Sequence, residues 1–146
     1  MKIITATIDN LEILLPLFED YRKFYKQSQN TDEVLKFLTN RFNKKDSVIF
    51  ISIDDNNDAQ GFTQLYPIFS SVSMQRTYIL NDLYVNPIYR GKGIGKALLN
   101  HTKKFAINQK SKGLTLETSI DNPAQKLYER LGWKKDIEVY HYTWQV

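Results

Sequence analysis

The stretch NPIYRGKGIGKALLNHTKKF, residues 86–105, decides the reading of this chain. Three glycines stand at alternate positions, Gly91, Gly93 and Gly95, among Arg90, Lys92 and Lys96. Ile94, Ala97, Leu98, His101 and Phe105 then recur at offsets of three, four, seven and eleven, which is one apolar stripe at the period of a helix. Glycines at a helix start leave backbone N–H groups free with no Cβ beside them. Those amides and the positive end of the helix dipole make an anion site. The pattern predicts a phosphate cradle; the plainer alternative is a solvated Gly/Lys turn.

Two common nucleotide motifs are excluded by spacing. A P-loop, G-x-x-x-x-G-K-[ST], would need glycine where Arg90 stands and a hydroxyl where Ala97 stands. The dinucleotide fingerprint G-x-G-x-x-G would put its third glycine on Lys96.

The 146 residues suffice for one domain, expected over 1–146, and are too few for two. No cysteine occurs, which excludes a disulfide framework, a thiolate zinc site and a cysteine nucleophile. His101 and His141 are the only histidines and lie far apart, so no metal is expected. The net charge of +4 suits an acidic partner, a phosphorylated cofactor or simple solubility. The lysines are scattered and no nucleic-acid motif is present, so no nucleic-acid partner is expected. Neither a signal peptide nor a membrane span is legible, and the expected location is cytoplasmic.

Along the chain, KIITATI (2–8) reads as a strand, and Leu11 to about Gln27 as a helix through Leu14, Leu17, Phe18, Tyr21, Phe24 and Tyr25. Thr31 or Asp32 caps a second helix carrying Val34, Leu35, Leu38 and Phe42. SVIFISI (47–53), QGFTQLYPIF (60–69) and RTYILNDLYV (76–85) follow as strands. Gly61 is placed for close approach of another backbone, and Pro67 for an edge or bulge. GLTLETS (113–119) is a further strand. DNPAQKLYERLGW (121–133) is a helix capped by Asp121 or Asn122 and closed by Gly132. IEVYHYTWQ (137–145) alternates apolar and polar residues as a final strand. The order β α α β β β α β α β is that of an α/β chain.

This pattern resembles the GNAT superfamily of acyl-CoA-dependent N-acyltransferases, over essentially the whole chain. LYVNPIYRGKGIGKALL (83–99) carries the [RQ]-x-x-G-x-[GA] motif at Arg90, Gly93 and Gly95. NPAQKLYERLGW (122–133) carries the later asparagine, helical tyrosine and terminal glycine–aromatic pair. The resemblance implies a mixed, largely antiparallel sheet of six to seven strands, splayed at a central parallel pair and flanked by about four helices. It implies acetyl-CoA as co-substrate, with no metal, and transfer of acetyl to a primary amine. Polyamine, amino acid, antibiotic and protein lysine all stay open as acceptors, as does a CoA-binding module without catalysis. Homodimers are frequent among such relatives.

Carried over residue by residue, the resemblance puts the pyrophosphate on the amides of Gly91, Lys92, Gly93, Ile94, Gly95 and Lys96, beside Arg90. It puts the pantetheine arm and acyl carbonyl along Leu83, Tyr84 and Val85. Asn122 binds the pantetheine amide or serves as a helix cap. Tyr128 is either the general acid facing the coenzyme sulfur or a packing residue, because Leu127, Tyr128 and Leu131 share an apolar stripe. Asp82, alone among apolar neighbours, is either the group that handles the amine or a structural carboxylate at a strand bulge. Glu117 is a second, weaker candidate. Tyr21, Phe24, Tyr25, Tyr66, Phe69 and Tyr78 give the acceptor side an aromatic character suited to a cation.

Overall fold

A computed structural model describes residues 1–146. Strand β1 (Lys2–Thr5) is followed by helices α1 (Leu11–Phe24) and α2 (Thr31–Lys44). α1 buries Leu14, Leu17 and Phe18, three and four apart, on one face. The cap of α2 is Asn30, whose side chain accepts from Glu33 N–H at 3.2 Å, one residue ahead of the expected Thr31.

Strands β2 (Val48–Ile53), β3 (Ala59–Ser70) and β4 (Gln75–Val85) form an antiparallel meander. Helix α3 (Ile94–Asn108) then returns the chain parallel to β4 as β5 (Leu114–Thr115), and α4 (Gln125–Arg130) follows. The spatial order is β1-β2-β3-β4-β5, antiparallel throughout except at the last pair.

Five strands, not six to seven, make the sheet. The predicted strand 137–145 joins no ladder, and residues 134–146 make no backbone–backbone hydrogen bond. Its period-two pattern fits it to lie on a sheet, but the pattern does not supply a neighbouring edge. Strand β5 covers two residues of the expected 113–119. Helix α4 is also shorter than 121–133, because Asn122 Oδ1 accepts from Ala124 N–H at 2.9 Å in the turn ahead of it.

The sheet buries both faces. Ile49, Ile51, Ile53, Phe62 and Tyr84 pack with Leu14, Leu17, Phe18, Val34 and Leu38 of α1 and α2. Phe50, Leu65, Tyr78 and Leu80 pack with Ile94, Leu98 and Leu99 of α3. A bulge in β4 sorts these sets: Gln64 opposes Asp82 while Leu65 opposes Leu80, so Asn81 is the extra residue. Before it Tyr78 and Leu80 point toward α3; after it Leu83 and Val85 do, and Tyr84 turns to α1. Gly61 fits its expectation, since a Cβ there would lie 2.6 Å from Tyr84 O.

Candidate functional site

The loop between β4 and α3 is built to leave amides free. Asn86 Oδ1 accepts from Ile88 N–H at 3.2 Å, starting a short 3-10 turn over Pro87–Tyr89. Gly91 (φ 76°) and Gly93 (φ 80°) take left-handed conformations, and Gly93 is the N-cap of α3. The six successive N–H groups from Gly91 to Lys96 donate no hydrogen bond within the chain. They sit at the positive end of a 15-residue helix. A Cβ at 91 or 93 would meet nothing within 4 Å, so the mouth of the loop is open. Gly95 differs: its Cβ would touch Leu127 Cδ2 at 3.5 Å and Val85 Cγ2 at 3.8 Å. Both are ordinary contact distances, so a methyl group at 95 would face the core beside Leu127 and Val85 and not the mouth.

The side chains of this loop diverge. Arg90 turns back, its Nε donating to Val85 O at 3.0 Å and its guanidinium lying 5.9 Å from the Tyr84 ring. Lys92 Nζ stands 5.2 Å over the Tyr89 ring. Lys96 is exposed, and Ile94 is buried in the α3 core with only its backbone at the loop.

Beside this loop the sheet opens. β4 and β5 pair only at Tyr78–Leu114 and Ile79–Thr115, and on that side β4 then runs on unpaired to Val85 while β3 stays paired along its other edge. Asn86 N–H donates to Gln60 O, so by strand alternation Leu83 and Val85 turn their backbone groups away from β3, into the opening. Tyr128 on α4 borders the α3 side of the core with its ring 6.2 Å from Trp133. Its hydroxyl has no hydrogen-bond partner within the chain. Burial pushes its phenol above the ordinary value of 10.0, and Tyr25 adds to the shift.

On the opposite face a polar cluster surrounds Asp82, which is only 4% exposed. Gln64 Nε2 donates to its Oδ2 at 2.7 Å and Asn81 Nδ2 to its Oδ1 at 3.1 Å. Thr63 Oγ1 donates to its backbone oxygen at 2.8 Å. Tyr21 stands against the carboxylate; burial first, then the Asp82 charge, raises its phenol far above the usual range. Burial and the same carboxylate push Tyr66 up to about 12. Gln64 Oε1 is buried without a partner.

The Tyr21 and Tyr25 rings are 5.1 Å apart, and Tyr25 acts electrostatically on both Tyr21 and Tyr128. Tyr21 and Tyr25 thus lead from Asp82 toward Tyr128. Tyr66 joins this group, whereas Tyr78 is buried against Phe105 at 5.2 Å and Phe69 is exposed beside Arg76. Glu117 is exposed, 3.5 Å from His141. Sequence reasoning missed Gln64; its signal was two polar residues, Thr63 and Gln64, inside an otherwise apolar strand.

A model of the acetyltransferase (GNAT) family matches residues 14–133. An uncharacterized N-acetyltransferase of Bacillus subtilis is 44% identical over 100% of this chain and 98% of its own length. A probable acetyltransferase of Haemophilus influenzae is 36% identical over 88% of this chain and 97% of its own. The crystal structure of a probable acetyltransferase, 40% identical, superposes with a TM-score of 0.96 over 100% of this chain and 98% of that one.

Proposed function

The chain belongs to the acetyltransferase (GNAT) family and is an N-acetyltransferase, and from that premise we propose that it moves acetyl from acetyl-CoA to the primary amine of a small molecule. A polyamine or an amino acid is the class of acceptor meant, attacking directly in a ternary complex. The observation that carries this reading is the row of unpaired amides from Gly91 to Lys96 at the head of α3. A diphosphate suits such a row, because each phosphate oxygen takes an N–H that has no other acceptor.

Bound there, acetyl-CoA would supply the activated acetyl thioester. The chain supplies the rest. Arg90 fixes Val85 O and so stiffens the strand end beside the cradle. Leu83 offers its backbone N–H and C=O, and Val85 its N–H, along the opening to the amide-bearing arm and the acyl carbonyl, and Asn122 offers its free Nδ2. Tyr128 holds the proton that the departing sulfur needs; a phenol above its ordinary pKa keeps that proton at neutral pH. Asp82 places a negative charge behind Tyr21 and Tyr66, which draws in a cationic amine, and the amine's proton leaves toward this cluster. Gln64 Oε1 remains as an acceptor for an amine N–H.

The test is thiol release from acetyl-CoA against a panel of polyamines, amino acids and lysine peptides, with CoA binding by calorimetry on the same sample. Turnover with a small amine supports the proposal. Turnover with peptides alone would move the acceptor to proteins, and absence of CoA binding would overturn the cradle.

A further inference from the structure

The stripe that α2 turns to the sheet does not stay apolar to its end. Val34 and Leu38 are buried, and Arg41 stands next on the same face, three residues after Leu38 and seven after Val34. A charge at such a position is costly unless a partner holds it. Asp46, just past the helix, is that partner. Arg41 Nη1 lies 3.1 Å from Asp46 Oδ2, and the two side chains stay 23% and 38% exposed. The guanidinium lies 5.1 Å from the centre of the Phe37 ring. The pairing leaves Arg41 Nε without an acceptor, and it uses one N–H of the five that a guanidinium carries.

Two runs of side chains join this arginine to Asp82. One is a line of rings: Tyr21, against the Asp82 carboxylate, is 6.0 Å from Phe18, and Phe18 is 5.9 Å from Phe37 under the guanidinium. The other follows β3. Gln64 holds Asp82, and Tyr66 comes two residues later on the same face, roughly 7 Å along the strand. Burial raises the Tyr66 phenol most; after it Asp82 raises the phenol, Arg41 lowers it, and Asp46 acts less than Arg41. Of the ion pair, the positive member thus bears more strongly on Tyr66. Aromatic side chains therefore separate a negative end at Asp82 from a positive end at Arg41.

We propose that the acceptor is an amino acid and not a polyamine, with its amine at Asp82 and its carboxylate on Arg41, across the rings of Tyr21, Phe37 and Tyr66. The amine end presupposes the role given to Asp82 in acetyl transfer to a small amine. A guanidinium takes a carboxylate through paired, charge-assisted N–H groups. A polyamine brings a second cation to the same place, where Arg41 repels it. Asp46 already holds the guanidinium, so little side-chain freedom is lost when the carboxylate arrives.

The test sets amino acids against the amines they become without the carboxylate: phenylalanine and phenethylamine, leucine and isopentylamine, lysine and cadaverine. In the pair that turns over best, kcat/KM for the amino acid should exceed that for the amine by roughly 10-fold to 100-fold. The same six compounds are scored by the melting temperature of the chain with CoA present, which reads binding without turnover. Arg41→Gln should erase the difference within each pair through KM and not kcat. Because that change strands Asp46, Arg41→Gln with Asp46→Asn repeats the measurement with the ion pair removed. An amine that matches or beats its amino acid on the parent chain overturns the carboxylate and leaves transfer to a small amine standing. Amino acids that raise the melting temperature above their amines, with no thiol release, support the carboxylate and remove that transfer instead. Discrimination that survives both variants, or six compounds with neither turnover nor a shift, would overturn the role of Arg41.

Discussion

Gln64 and Asp82 face each other across the β3–β4 pair, with Gln64 Nε2 2.7 Å from Asp82 Oδ2. A buried carboxylate is costly unless donors hold it, and this one has Gln64, Asn81 and the Tyr21 hydroxyl around it. Asp82→Asn keeps the shape and removes the charge. Its kcat/KM for the amine should fall by about 100-fold or more, with CoA affinity unchanged. A purely structural Asp82 would instead lower thermal stability and both affinities together.

Tyr128→Phe removes one oxygen that has no partner within the chain, so the fold should tolerate it. Turnover should drop by about 100-fold to 10,000-fold, the range for a positioned acid. Acetyl-CoA affinity should move little. Equal losses in both would reassign Tyr128 to packing against Trp133.

The two kinds of glycine in the loop should separate in calorimetry. Gly93→Val forces a branched residue to φ 80° and puts a side chain in the open mouth. CoA affinity should fall at least about tenfold, through strain of roughly 1–2 kcal/mol and crowding together. Gly95→Ala meets Leu127 and Val85 at ordinary contact distance and should cost much less. Equal effects at 93 and 95 would place the cradle elsewhere.

Stability should respond to alkali through the buried phenols. Tyr66 rises from 10.0 to about 12 on folding, so the folded state holds that proton more tightly. Its contribution is complete below pH 10 and is lost as pH climbs toward 12. The urea midpoint of the parent chain should therefore fall across that window. Tyr66→Phe should fall less steeply, and identical slopes would contradict the assignment.

Much of this site was legible in the sequence because its signals are local. Alternate glycines ahead of an apolar stripe point to a helix start with free amides, and Gly91 and Gly93 take left-handed conformations at the head of α3. Gly95 looked the same in sequence, yet it has no left-handed φ and a Cβ there would face Leu127, 32 positions away, at ordinary contact distance. The cluster around Asp82 was half legible: a lone carboxylate in an apolar strand was visible, while Gln64 becomes its partner only through strand register. The predicted strand 137–145 was misplaced for a related reason. Its alternation shows what the segment can lie against, and nothing local supplies the edge.

The extra residue in β4 has a consequence for how this protein can vary. Asn81 shifts the strand by half a period, so that Asp82 and Tyr84 look toward α1 while the amides of Leu83 and Val85 look into the opening. Were Asn81 paired in register instead of bulged out, Leu83 and Val85 would turn their amides onto β3, and Asp82 and Tyr84 would turn toward α3. The carboxylate pocket and the slot would vanish in one step. Position 81 is therefore constrained to stay out of the ladder rather than to one side chain: many residues can stand there as long as they remain bulged, and a strand one residue shorter would keep the same alternation through regular pairing.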